Sequence, residues 1–572
     1  MMDPRSSDSP EPPSGPSRIV SGHSALDRKP WLLALAGGVM VPLSMEPWGL
    51  TLLMPIGFVL LARALKDSSI RRALLIGWVF GLAVEGLGLP WIGTAVSRFL
   101  AIFVLGDPGS GIATAMGAGA FLLRWPLASL GWGLCAASIV LAPNKVLLRA
   151  IWAGVCFMVM EAYWPRIFRW TMGAAYATED PSGSWLLLQW FGVEEMLLLA
   201  VASGFLAASC WDRSVRTRRD WLVTIPALVL MAAPSIPLPQ AQPADSASAS
   251  DGAPLTVSIV QPVLPLEQRH DREGAAAQLK KIRALIEIAS EGPMTDQPVL
   301  ILLPEAILPQ SWKIEWVQEW CLDWLSQPTV IGLSLREDQG FSNAVVLLSP
   351  RIDEHTRNRS VEVQLGRKKE LLPFGETVPF GEFLAGLGIE LPLTELVAGK
   401  EAVTFSVGGD FPPLGISICY EGILPETAVQ TIEQGARWHA NLTEDLWYGD
   451  WCLPAQHLQF QRARAIESGQ LWLRSVNAGI SAAIDPRSEG RRSILSTRQW
   501  VGDRWSAWHN TTDAGQVALP MGQVGILQLQ IASDFSPQGT APLSLPSASP
   551  LLLLYSLLAV YWWNLKRLLK VR

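Results

Sequence analysis

The sequence predicts a polytopic α-helical membrane domain of about eight spans with one large α/β domain inserted before the last span. Three observations carry this prediction. Of the 572 residues, 49% are hydrophobic and 26 are tryptophan, too apolar and too aromatic for one ordinary soluble domain. Apolar runs of membrane-crossing length cluster before residue 236 and recur once near the C-terminus. Between them, β-rich runs alternate with helical ones, the pattern of a layered α/β fold.

Residues 1–29, rich in Ser, Pro and charge, cannot bury enough apolar surface to order and carry no cleavable-signal pattern, so a disordered tail is expected there, with the first span as an uncleaved anchor. Residues 30–236 hold seven candidate spans: 31–48, 49–66, 72–94, 111–142, 146–163, 184–210 and 221–236. The run 111–142 is long enough to contain a re-entrant piece. Lys and Arg concentrate before the first span and after the second, fourth and sixth (Arg28, Lys29; Arg63, Lys66, Arg71, Arg72; Lys145, Arg149; Arg213 to Arg219). That asymmetry places these loops and both termini in the cytoplasm and the insert outside, in a periplasm if the cell has one. A Pro/Ala/Ser linker (237–254) leads into the inserted domain, 255–532; a second linker (533–548), a span at 549–565 and a basic tail (566–572) close the chain.

Within the insert, strands are expected near 255–261, 298–305, 328–335, 343–349, 414–420, 438–443, 471–477 and 481–486, with helices near 273–290, 311–326, 424–435 and 453–469. A net charge of −6 with no basic block argues against nucleic acid as a partner. The six cysteines include no CxxC pair and no His/Cys cluster of metal-ligand spacing, so no metal, no cofactor and no disulfide scaffold is expected; whether Cys321 and Cys452 pair stays open.

The chemistry is expected at strand ends. In "GISICYEGILPE" an apolar run stops at Cys419 and a helix follows. A free cysteine on such a run is ordinary core material. Placed at a strand-to-helix turn, the thiol is instead expected to lie near a helix N-terminus that lowers its pKa, with the Tyr420 N–H aimed at an oxyanion. Glu305 ends the run "VLILLP", where burial suits a carboxylate to act as base. In "GRKKELLPFGETVPF", Lys368 and Lys369 precede a loop with Glu376, and only one lysine can point inward. None of the six histidines has a context that suggests pairing with the thiol; His439 reads as structural, and a Cys/His pair is the minor alternative.

Glu in "LLPEAILP", Lys five residues before "PFGE" and Cys in "ISICYE" resemble, in this order, the nitrilase superfamily signature. Together with "NLTEDLWYGD", "QFQRARAIESGQLWLRSVNAGISA" and the span motifs "GWVFGLAVEGLGLPWI" and "FRW", they are similar specifically to the apolipoprotein N-acyltransferase family over about 31–565. The resemblance implies a four-layer αββα nitrilase-like domain. It implies Glu305 as base, Lys368 as oxyanion cation and Cys419 as nucleophile. Glu376 becomes a supporting carboxylate, Tyr420 an oxyanion donor, and Glu421 and Trp447 substrate contacts, with Trp447 a mobile aromatic at the mouth. It also implies the reaction, the last step of lipoprotein maturation in a bacterial inner membrane. A phospholipid gives its acyl chain to Cys419, and the α-amino group of a diacylated lipoprotein precursor takes it, the enzyme acting as a monomer. The chain departs from the family at Pro262, Val263 and Arg169, positions that bear on substrate contacts. Two other readings fit less: a membrane-anchored amidohydrolase, and a non-catalytic sensor or transporter. The first gives no use for eight spans. The second gives no reason to keep Glu305, Lys368 and Cys419 together, and its spans would hold more ionisable residues than Glu85, Arg124 and Glu161.

Overall fold

The computed structural model describes residues 29–143, 145–210 and 254–532, the last range apart from 270, 293–298, 354, 379–380, 382–385, 387–394, 410, 488–492 and 511–515. The expected tail before residue 29, the span at 221–236, the linkers that flank the inserted domain, the span at 549–565 and the basic tail lie outside the described residues.

The first part is a helical bundle: α1 Pro30–Leu43, α2 Leu53–Ala64, α3 Ile70–Gly88, α4 Trp91–Phe99, α5 Gly111–Leu141, α6 Val146–Tyr163, α7 Gly183–Phe191 and α8 Val193–Cys210. Among the described residues, α5 and α6 are each long and apolar enough to cross a membrane, and α3 with α4 and α7 with α8 qualify if each bent pair counts as one span. Four expectations change. The runs 31–48 and 49–66 shorten to α1 and α2, because Pro47 and Gly49 (φ +61°) turn the chain between them. The run 72–94 stops at Gly88, since Pro90 cannot continue the helix; α4 then leaves at 54° and loosens into a π turn at Leu100–Val104. The run 184–210 breaks at Gly192, whose φ of +87° permits a 115° bend. The suspected re-entrant piece within 111–142 is absent: α5 is one helix of 31 residues, about 46 Å long. Inside the bundle Glu85 pairs with Arg124 at 2.8 Å and also accepts the Trp132 indole N–H.

The inserted domain is built from β1 Leu255–Gln261, β2 Val299–Leu302, β3 Ser311–Trp312, β4 Thr329–Glu337, β5 Gly340–Ile352, β6 Arg359–Arg367, β7 Val403–Phe405, β8 Leu414–Ile418, β9 Trp438–Thr443, β10 Leu471–Val476, β11 Ala482–Ile484, β12 Ile494–Val501, β13 Arg504–Trp505, β14 His509–Asn510, β15 Gln516–Ala518 and β16 Gly525–Ile531. One sheet runs β13-β12-β16-β1-β2-β4-β5-β6, with β14 on β12 and β3 on β4; the other runs β15-β11-β10-β9-β8-β7. Helices α9 Arg272–Ala289 and α10 Ile314–Cys321 cover the outside of the first sheet through Ile282, Ile286 and Val317. Val257, Ile259 and Leu300 face Ile416, Ile418 and Leu442 between the sheets. Helices α11 Pro425–Glu433 and α12 Leu453–Ser468 cover the second sheet through Ala428 and Leu458. The layers are therefore α, β, β, α. Both sheets are covered on both faces, which is why β1, β8 and β9 are buried along their whole length and read as apolar runs.

Helix α12 is buried on every side although it carries Gln456, Gln459, Arg462, Arg464 and Glu467. Four of these groups satisfy backbone and side-chain donors and acceptors of the bundle, and Arg464 pairs with Glu467. Glu467 accepts the Val193 N–H at the start of α8 (2.6 Å), Gln459 accepts the Glu46 N–H (3.1 Å), Gln456 accepts the Trp170 indole N–H (3.0 Å), and Arg462 donates to the Ala177 carbonyl (2.8 Å). The carboxylate at the head of α8 also meets the positive end of that helix. The bundle and the inserted domain thus share one polar seam rather than a bare apolar contact.

Candidate functional site

Strand β8 delivers Cys419 to a tight elbow. Cys419 has φ +51°, a left-handed conformation that costs a residue with a Cβ about 1–3 kcal/mol. A 3-10 turn, Cys419–Ile423, follows, and α11 starts only at Pro425. Buried Glu421 braces this elbow. One carboxylate oxygen accepts the Ile418 N–H (2.8 Å), and the other accepts the N–H groups of Lys369 (2.8 Å) and Glu370 (3.0 Å). Both carboxylate oxygens of Glu421 therefore accept backbone N–H groups and tie the Cys419 turn to the loop that carries Lys368.

Glu305 sits just past the end of β2. Its Oε1 accepts from Asn343 Nδ2 (2.7 Å) and Lys368 Nζ (3.3 Å), and its Oε2 accepts the Glu444 N–H (3.0 Å). Gly332 of β4 lies under it: a Cβ at that position would stand 2.6 Å from the Glu305 Cα. Lys368 follows β6 and is enclosed, 1% exposed, with its ammonium 2.9 Å from the Glu376 carboxylate. Asn343 donates to Glu376 as well (2.7 Å), so one amide braces both carboxylates. Lys369 turns outward to Gln430 (2.8 Å). Of the two lysines, Lys368 alone faces the carboxylates.

The electrostatics differ from expectation at the thiol. Burial, then the charge of Glu305, pushes the Cys419 thiol well up, and Lys368 and the Thr443 hydroxyl offset only part of it. The expected lowering by a helix N-terminus loses because a 3-10 turn separates the thiol from α11 and the thiol is buried. Burial opposes the Lys368 charge, yet Glu376 and Glu305 together hold its pKa well above the ordinary lysine value. In line with expectation, His457 partners a carboxylate and not the thiol: its Nδ1 donates to Asp445 (2.9 Å), and burial lowers the ring's pKa. His439 is buried against Trp472, its Nε2 2.6 Å from Gln470 Oε1.

Aromatic residues from both parts of the chain surround the site. Phe168 packs on Tyr420 (5.3 Å between ring centroids) and Trp91 (5.1 Å), and Trp91 meets Tyr448 edge-on (5.1 Å). Burial, then Cys419, raises the Tyr448 hydroxyl pKa, which places that hydroxyl in the field of the thiol. Trp447 stacks on Phe103. Arg169, where the chain departs from the family pattern, reaches Glu426 on α11 through two contacts (2.9 and 3.2 Å) and so pins the seam beside the elbow. Val263, another departure, has φ +50° and donates its N–H to the Asn477 carbonyl. Cys321 and Cys452 are both free thiols, one on α10 and one against the Gly88 carbonyl. Among the described residues no group of His, Cys, Asp and Glu side chains is arranged to hold a metal.

Sequence reasoning passed over Asn343, Asn441, Asp445 and His457. Asn441 and Asp445 lie inside the singled-out motif "NLTEDLWYGD", which was the available signal; Asn343 sits within a plain apolar strand and gave none.

Residues 256–491 match the carbon-nitrogen hydrolase family model, and residues 37–206 match the model of the apolipoprotein N-acyltransferase N-terminal domain. The chain is thus a carbon-nitrogen hydrolase domain joined to an apolar helical bundle. Apolipoprotein N-acyltransferases of Methylococcus capsulatus (27% identical, 80% of this chain and 86% of the relative) and Rhodopseudomonas palustris (29%, 82% and 88%) align along most of its length. It belongs to the apolipoprotein N-acyltransferase family. Among solved structures, Saccharomyces cerevisiae Nit3 of the nitrilase superfamily aligns with 50% of this chain and 93% of its own, at 16% identity and a TM-score of 0.31.

Proposed function

We propose that the protein transfers an acyl chain from a membrane phospholipid, through a thioester on Cys419, to the α-amino group of the S-diacylglyceryl cysteine that begins a lipoprotein precursor. The observation that carries this reading is that a buried Glu305–Lys368–Cys419 cluster lies under aromatic residues supplied jointly by the bundle and the hydrolase domain. A water-soluble amide substrate would not require that shared wall.

In the first half-reaction Glu305 takes the Cys419 proton as the sulfur attacks the ester carbonyl. Negative charge develops on the carbonyl oxygen, where the Lys368 ammonium and the Tyr420 N–H receive it. The tetrahedral intermediate expels the lysophospholipid alkoxide, and Glu305 returns the proton to that oxygen. In the second half-reaction the amine attacks the thioester, Glu305 takes the amine proton, and the proton goes back to the departing Cys419 sulfur. The raised thiol pKa keeps the resting nucleophile neutral; proton transfer to Glu305 leaves one negative charge, now on sulfur and facing Lys368. The Lys368–Glu376 pair stays constant throughout.

The catalytic domain sits on the ends of the bundle at Glu46, Gly88 and Val193, whereas Arg63, Lys66, Lys145 and Arg149 lie at the opposite ends. That separation supports cytoplasmic termini and a catalytic domain on the outer face of the inner membrane; the reading takes eight spans and a single working chain with it. Trp447 and Phe103 would form the entrance for the lipid.

The test is intact-protein mass spectrometry after incubation with phosphatidylethanolamine. An acyl-sized mass gain that neutral hydroxylamine releases, absent from Cys419→Ala, is the expected result. Folded protein that gains no mass and releases no lysophospholipid rules the donor out.

A further inference from the structure

The Cys419–Tyr420 peptide is held from behind by a residue of the neighbouring strand. Asn441 on β9 stands opposite Ser417 on β8 and is fully buried. Its Nδ2 donates to the Cys419 carbonyl oxygen (3.1 Å) and lies near the Ser417 carbonyl (3.2 Å) and hydroxyl (3.1 Å). Its Oδ1 accepts from the Arg474 guanidinium (3.1 Å). A guanidinium has no acceptor, so Arg474 fixes which end of the amide faces the elbow. Arg474 is itself fixed by Asp445 (2.6 Å), which His457 also holds (2.9 Å). All four side chains are at most 2% exposed, so nothing in this chain of contacts is free to swing away.

The consequence lies on the far side of the same peptide. A trans peptide is planar, with C=O and N–H pointing in opposite directions, so anchoring the Cys419 oxygen fixes the direction of the Tyr420 N–H. Tyr420 lies in the first turn of a short helix, where an amide has no acceptor within the helix. Rotation of that peptide about Cys419 ψ and Tyr420 φ would carry the N–H away, and the Asn441 anchor opposes it. Space is kept for the anchor: a Cβ on Gly422 would collide with Asn441 Nδ2 and Gln461 Nε2.

We infer that Asn441, oriented by Arg474, is a positioning residue that presets the Tyr420 amide as an oxyanion donor. The inference rests on the acyl-transfer reading above. Its test separates acylation, which builds an oxyanion, from alkylation by iodoacetamide, which displaces iodide at carbon and builds none. Asn441→Asp keeps the shape and still accepts from Arg474 but has no proton to give the Cys419 oxygen. Gly422→Ala displaces the same amide from the other side with Asn441 in place. In full-length protein, thioester formation from phosphatidylethanolamine should fall about 10²- to 10³-fold in both variants, the loss typical of one oxyanion donor. Alkylation of Cys419, read by peptide mass spectrometry, should stay at the wild-type rate in Gly422→Ala, which adds no charge beside the thiol. Loss of both reactions in step would mean that Asn441 merely supports the fold or the sulfur, and overturns the inference, as does unimpaired acylation. A wild-type protein that alkylates at Cys419 but never acylates would instead overturn the acyl-transfer reading and the inference with it.

Discussion

The indole of Trp447 stacks on the ring of Phe103, their centroids 5.7 Å apart and their planes 26° from parallel. Phe103 belongs to the π turn after α4 and Trp447 to the short turn after β9, so the contact joins the bundle to the catalytic domain beside Tyr448. An aromatic pair is worth about 0.5–1.5 kcal/mol beyond its buried area, which corresponds to a few-fold to about tenfold change in an open–closed balance. Phe103→Ala should therefore let water reach the thioester. Free fatty acid release should rise against N-acylated product by up to about tenfold on that scale, with Cys419 alkylation unaffected. An unchanged ratio would show that this stack does not exclude water.

Asn343 makes the second prediction. Its single amide group donates to Glu305 and Glu376, both partners of Lys368. Hydrogen bonds to charged groups contribute about 1.5–3 kcal/mol each. Asn343→Leu, similar in size but without a donor, should lower unfolding stability by about that much and slow thioester formation at least tenfold. Asn343→Asp should be worse, because it sets a third carboxylate beside two. A Leu variant with full activity would show that Lys368 alone holds the carboxylates in place.

How far the site was legible depends on where its groups sit along the chain. Glu305 and Cys419 mark the places where apolar strands stop, and the stop is visible in the residues themselves. Lys368 and Glu376 lie in one punctuated loop. Asn343, by contrast, is set in the apolar run of β5, and its role follows from β5 lying beside β4 and β6, a pairing that no local pattern encodes. The His457–Asp445 contact is made by the return of α12 onto the loop after β9. In the bundle, hydropathy registered apolar length but not direction, so the bend at Gly192 read as one span. Strands β6, β12 and β16 were missed because polar residues such as Gln364, Gln499 and Gln528 interrupt their apolar pattern.

The thiol supplies a pH prediction. Burial and then Glu305 push the Cys419 pKa above that of a free cysteine, so the neutral form prevails at and above neutrality. Alkylation by iodoacetamide should be slow near neutral pH and keep rising through the ordinary thiol range instead of levelling there. Lys368 opposes the shift, so Lys368→Met should slow alkylation further at every pH. A plateau near neutral pH would reveal a thiolate in the resting enzyme and reverse the assignment.

His439 offers a stability test away from the chemistry. It is buried on β9 with its ring stacked on Trp472 at 4.5 Å, and burial lowers its pKa from 6.5 to about 4. The unfolded chain then binds a proton at this residue more readily than the folded one. No penalty exists above the unfolded pKa. As pH falls through the window from 6.5 toward about 4, the unfolded state gains protons first and the folded protein loses stability. At about 1.4 kcal/mol per pKa unit, the loss is on the order of 3 kcal/mol by the bottom of the window. Thermal unfolding of the wild type in detergent should show this decline superimposed on the carboxylate titrations. His439→Gln replaces the ring by a group that does not titrate, so the difference between variant and wild type should shrink steadily as pH drops from 6.5 to 4. A difference that does not vary with pH would mean that the imidazole can take up a proton in the folded state, through water reaching the space between β9 and α11.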